Sequence, residues 1–98
     1  MSRPPSPNRP LVPRADRHTV GFDVDIEGPT TRAYRTPVRN VSASGMLLKD
    51  AATLQVGDVV SARLPRLGLI TCRVVRLRAG EAGVKFDRTI AVSDLLAA

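Results

Sequence analysis

The sequence predicts an all-β fold: a small antiparallel barrel of six strands, followed by one short C-terminal helix. Two patterns indicate it. Apolar and polar residues alternate over several short stretches, and turns rich in glycine and proline separate these stretches at close spacing. With 98 residues, 43% of them hydrophobic, the chain can bury one modest core. We expect a proline- and arginine-rich flexible arm over residues 1–13 and a barrel domain over residues 14–98.

The arm holds five of the eight prolines. Because proline blocks the hydrogen bonding of both helices and sheets, we expect this segment to be extended and flexible. It lacks the apolar run of a signal peptide, and no later stretch approaches the roughly 20 apolar residues that span a bilayer. The single Cys72 cannot form an intramolecular disulfide, which suits a reducing compartment. These features predict a soluble, cytoplasmic protein without membrane insertion.

The first half of the barrel reads as a hairpin and a short third strand. Residues 19–27 alternate strictly between apolar and polar side chains, which predicts a half-buried strand. Gly28 and Pro29 break it, and a second strand over residues 33–41 should pair back with it. Pro37 cannot donate to the ladder, so it suits an edge or a bulge. A third strand covers residues 46–48.

The second half continues with three strands and the helix. Alternation predicts strands over residues 59–64, 69–78 and 84–86, with turns at residues 65–68 and 80–83. The segment 89–97 reads as a helix that Thr89 caps at its N-terminus. Its predicted apolar face consists of Val92, Leu95 and Leu96.

Charge and composition restrict the function. The net charge is +6, and 13 of the 15 basic residues are arginine, which favours planar anionic partners such as phosphate or guanine edges. One cysteine and one histidine cannot furnish a structural zinc site. Cys72 alternates with apolar neighbours and is interpreted as a buried side chain, and no phosphate-cradling glycine loop is present. We therefore expect neither an enzyme nor a metal or cofactor site.

Nucleic-acid binding has little support beyond charge. Barrels that bind single strands place aromatic side chains under the bases, and this chain has only three aromatic residues. Phe22 and Phe86 fall on the predicted core faces. We expect no specific nucleic-acid binding, and nonspecific phosphate binding remains a third possibility.

One segment indicates a more specific function. Asn40, Ser42 and Gly45 form the pattern Asn-x-Ser-x-x-Gly, and an apolar strand follows directly. The pattern resembles the second signature of PilZ domains, which are bacterial receptors for the second messenger cyclic di-GMP. The order of strands, turns and terminal helix is similar to that family over about residues 14–97. The same three residues could also build an ordinary turn, with Asn40 and Ser42 bonding backbone and Gly45 at a positive φ.

The resemblance implies a non-catalytic receptor with cyclic di-GMP as its ligand. In that interpretation Asn40 and Ser42 contact one guanine, and Gly45 lets the backbone approach. Arg14 and Arg17 lie in the segment that precedes the first strand, here called the lead-in, and fold over the ligand. A downstream protein partner is also implied, without its identity.

The arginine lead-in departs from the family pattern. The first PilZ signature has two arginines four positions apart, whereas Arg14 and Arg17 are three apart. Either Pro13 replaces the first arginine or His18 replaces the second. Arg35 and Arg39 could supply substitute donors, or could lie on the solvent face of the second strand. Arg73, Arg76 and Arg78 are interpreted as an exposed face. The alternative function is therefore a PilZ-like adaptor that has lost nucleotide binding and acts through protein contacts.

Overall fold

The computed structural model describes residues 17–96, which form seven strands and one helix. Residues 1–13 and Arg14, for which the sequence predicts an arm and a ligand contact, lie outside the described residues. The elements are β1 His18–Thr19, β2 Asp23–Gly28, β3 Thr31–Val41, β4 Gly45–Leu48, β5 Val59–Leu64, β6 Gly68–Arg78, β7 Glu81–Phe86 and α1 Val92–Leu96.

Six of the strands close into a barrel. Their order is β3-β2-β5-β6-β7-β4, and pairing between β3 and β4 completes the circle. All neighbouring pairs are antiparallel. Closure leaves the barrel without a free edge. The predicted six-stranded antiparallel barrel with a short C-terminal helix is confirmed.

The core follows the predicted alternation. In β5 the buried side chains are Val60, Ala62 and Leu64, and in β6 the residues at 70, 72 and 74 point inward. Cys72 is only 1% exposed, as its alternation indicates. Burial raises the pKa of its thiol to about 12, so the side chain stays protonated at neutral pH.

The turn between β6 and β7 is shorter than the sequence suggests. Residues 81–83, predicted as part of a turn, belong to β7, and the turn consists of Ala79 and Gly80 alone. Both residues have positive φ, 53° and 79°. Two left-handed residues match the strand twist of a tight hairpin, which is why the turn needs no further residues.

The helix is also shorter than predicted. It begins at Val92, because the Ile90 amide donates a hydrogen bond to the carbonyl of Ala43 (2.9 Å) and the Ile90 side chain is buried. This contact holds the chain against the barrel, so the assignment of Thr89 as N-cap was wrong. Leu95 is buried as expected, but Leu96 is 45% exposed. Across residues 17–96, no helix has the length and apolar character needed to cross a membrane.

Candidate functional site

Strand β1 brings the lead-in beside the Asn-x-Ser-x-x-Gly motif. His18 pairs with Val41 and Thr19 pairs with Asn40, at the end of β3 where the motif begins. Arg17 directly precedes β1, and its Nη1 donates a hydrogen bond of 2.7 Å to the side-chain Oδ1 of Asn40. The structure thus brings together one residue from each of the two predicted parts of the site.

Ser42 holds the motif turn in place. Its side chain is only 2% exposed. The Ser42 amide donates to the carbonyl of Gly45 (2.8 Å), and its hydroxyl donates to the same oxygen (3.3 Å). The hydroxyl oxygen accepts from the Ser44 amide (3.3 Å). Ser42 therefore does bond backbone, as the turn interpretation predicted, and it orders the loop beside Asn40.

Gly45 is required by close packing of two strands. A Cβ atom at this position would overlap the carbonyl oxygen of Val84 and lie 3.3 Å from the Cα of Lys85. Its φ is not positive, since the positive-φ glycines of residues 17–96 are Gly57, Gly68 and Gly80. The interpretation of Gly45 as a positive-φ turn residue was therefore wrong. Its missing side chain lets β4 approach β7 closely.

An open groove of about 600 Å³ adjoins Arg17 and Asn40. Its apolar part comes from the strands behind the motif, chiefly Leu47 and Val75. Half of its ten lining residues carry polar side chains, so the groove is more polar than a typical small-molecule site and suits a polar or charged ligand. The polar side chains that line it are Arg17, Asn40, Ser42, Ser44 and Arg76.

Arg76 is a lining residue that the sequence interpretation missed. It was grouped with Arg73 and Arg78 on an exposed face, and all three are indeed exposed. Of these three, only Arg76 lines the groove beside Asn40. A signal was present: strict alternation from Ile70 would have placed an arginine inside the core at position 76, which indicates a local change of register.

The two suggested substitute donors are used elsewhere. Arg35 forms an ion pair with Asp25 (Nε to Oδ1, 2.8 Å), and its hydrogen bond lowers the pKa of that carboxyl. Arg39 forms an ion pair with Glu81 (Nη2 to Oε2, 2.7 Å). Neither arginine lines the groove.

The described residues offer no metal centre. Within 17–96, no group of three or more histidine, cysteine, aspartate or glutamate side chains is placed to hold an ion.

Comparisons with known proteins agree with this architecture. A family model described as PilZ domain matches residues 13–97. Among solved structures, the inhibitor of motility MotI/DgrA from Bacillus subtilis has a TM-score of 0.63 and 22% sequence identity. The alignment covers 91% of this chain and 49% of that chain, so the present chain spans about half the length of that structure. No curated protein sequence matches the chain. At this identity the structural likeness supports the fold alone.

Proposed function

The chain belongs to the PilZ domain family, and on this basis we propose that it is a non-catalytic receptor that binds cyclic di-GMP. The ligand would lie in the groove between Arg17 and the turn from Asn40 to Gly45. The observation that carries the proposal is the hydrogen bond of 2.7 Å between Arg17 and Asn40 at the edge of this groove.

The ligand chemistry matches the lining of the groove. Cyclic di-GMP is a compact dianion with two guanines, so its receptor needs forked donors for phosphate and for guanine O6 and N7. Arginine supplies such a fork, and an asparagine side chain can both donate to and accept from a base edge. The volume of about 600 Å³ lies within the range of small-molecule sites, roughly 300 to 1,000 Å³.

The contact between Arg17 and Asn40 leaves both groups able to bind a ligand. A guanidinium has five N–H donors, and the described bond uses one of them. The Asn40 carbonyl oxygen retains a second lone pair, and its amide retains two donors. The pair can therefore be preorganised before the ligand arrives, which lowers the entropy cost of binding.

Among residues 17–96, the two arginines of the groove have no acidic partner. In the described part of the chain, ion pairs join Arg35 to Asp25 and Arg39 to Glu81. Arg17 and Arg76 take part in neither, and among residues 17–96 no acidic side chain lines the groove. An anionic ligand would supply the missing counter-charge.

Isothermal titration of the purified chain with cyclic di-GMP tests the proposal, with cyclic di-AMP as the matched control. Both ligands are dianions, but adenine presents a donor at N6 where guanine O6 accepts. We expect saturable binding of cyclic di-GMP and far weaker binding of cyclic di-AMP. Equal affinities that fall together with added salt would instead indicate nonspecific phosphate binding.

The altered arginine spacing favours a second candidate, a PilZ-like adaptor without nucleotide binding. The same titration separates the two candidates. A folded chain that releases no heat with cyclic di-GMP, and shows no ligand-dependent shift of its melting temperature, would contradict the receptor and support the adaptor.

A further inference from the structure

A β-bulge in β6 changes the direction of Arg76. Ile70, Cys72 and Val74 point into the core at a period of two, which would place position 76 inside as well. The register shifts, however: Val74 pairs with Val84, and the next pair is Arg76 with Gly83. The extra residue turns Arg76 outward, where it is exposed. Burying an unpaired guanidinium would be very costly, and bulges often redirect side chains next to binding sites.

The residue opposite Arg76 leaves the groove open. Gly83 has no side chain, and an added Cβ would lie 3.6 Å from the Cβ of Arg76, which is ordinary contact distance. The strand geometry therefore does not require glycine at this position. What the glycine provides is free space beside Arg76, in the groove that both residues line.

Arg73 is an exposed arginine on the same strand that lies outside this groove. It pairs with Val59 on one side and Lys85 on the other, and it is exposed on the outer face of the barrel. Arg73 does not line the groove, whereas Arg76 does. The bulge places Arg76 on the same outer face as Arg73, and their different positions along β6 decide which of them reaches the groove.

We propose that Arg76 is the second forked cation of the ligand site and compensates for the lead-in arginine that the altered spacing removes. This inference rests on the proposed function. The ligand anion would be held between Arg17, which reaches the groove from the lead-in, and Arg76, which reaches it from β6. The two arginines that hold the anion would then come from two separate parts of the chain.

Titration of cyclic di-GMP into three variants tests this assignment. We expect Arg76→Ala to weaken binding at least tenfold and Arg76→Lys to weaken it less, because lysine keeps the charge but loses the fork. The control Arg73→Ala removes an exposed arginine from the same strand outside the groove. We expect it to retain affinity within twofold, with all melting temperatures close to that of the unchanged protein.

The outcomes separate this inference from the proposed function. If the unchanged protein binds cyclic di-GMP and Arg76→Ala binds as well as Arg73→Ala, the assignment of Arg76 fails and the receptor proposal stands. If the unchanged protein does not bind at all, both fail.

Filling the space beside Arg76 gives a second, independent test. Gly83→Val places a branched side chain in the groove, on a strand whose backbone tolerates it. We expect at least a tenfold loss of affinity for cyclic di-GMP without a fall in melting temperature. Unchanged affinity in a folded Gly83→Val protein would contradict the assignment of Arg76 as a ligand-binding cation.

Discussion

Arg17 is the residue at which the lead-in meets the motif, and this contact favours one of the two possible alignments of the arginine signature. Arg17 is exposed and bonds Asn40, whereas His18 begins β1 and is half-buried. Adjacent side chains of extended backbone point in opposite directions, so both cannot face the groove. Arg17 therefore fits the second arginine position, which leaves Pro13 at the first.

Removal of the Arg17 side chain should affect binding far more than stability. We expect Arg17→Ala to weaken cyclic di-GMP binding by about 2 kcal/mol or more, because charge-assisted hydrogen bonds are lost. The side chain is exposed and packs into no core, so the melting temperature should barely change. Calorimetric titration and thermal unfolding measure the two effects. A parallel loss of affinity and stability would show that Arg17 supports the fold instead of the ligand.

The alignment of the lead-in predicts which added arginine improves binding. Pro13→Arg restores two arginines four positions apart, with Arg17 as the second of them. We therefore expect this variant to bind cyclic di-GMP more tightly. His18→Arg restores the same spacing with Arg14 but adds its side chain on the wrong side of β1. We expect it to leave affinity unchanged or lower. The opposite ranking in a titration of both variants would assign the second position to residue 18.

Among the strands and the helix, the sequence predicts correctly the features that follow from alternation of buried and exposed side chains along a strand. The strand over residues 59–64 was predicted with its bounds and buried face, because each inward side chain enters one common core. The helix start was wrong, because a tertiary contact from Ile90 to Ala43 overrides the local capping signal at Thr89. Arg76 was missed for a related reason: an arginine at an inward position of the alternation signals a bulge, but where the bulge places the side chain depends on the partner strand.

The β6–β7 turn contains a residue that is poorly suited to its conformation. Ala79 has a φ of 53° in a two-residue turn where asparagine or glycine is preferred. We expect Ala79→Asn to increase the free energy of unfolding by about 0.5 to 1 kcal/mol, because asparagine tolerates this region better. Urea denaturation measures the change.

Ala33→Asn is the matched control, at an exposed strand position without positive φ. We expect no stabilisation there, since asparagine is disfavoured in strands. Equal stabilisation at both positions would contradict the argument from backbone conformation.

Across the whole molecule, positive charge should accelerate binding without determining its selectivity. The net charge is +6, while the proposed ligand contacts lie in one groove. Arg73 and Lys85 oppose each other on adjacent strands outside that groove, and each contributes one of the positive charges. They can therefore be removed together to separate long-range attraction from direct contact.

The double variant Arg73→Ala with Lys85→Ala lowers the net charge by two. We expect slower association with cyclic di-GMP at low ionic strength and an unchanged dissociation rate, because only the long-range attraction is reduced. The association rates of the variant and the unchanged protein should converge as salt rises, since the screening length falls to about 10 Å at 0.1 M and about 3 Å at 1 M. Stopped-flow measurements with a fluorescent cyclic di-GMP analogue give both rates. Faster dissociation in the variant would show that these two cations contact the ligand, and the site would then extend over the outer face of β6 and β7.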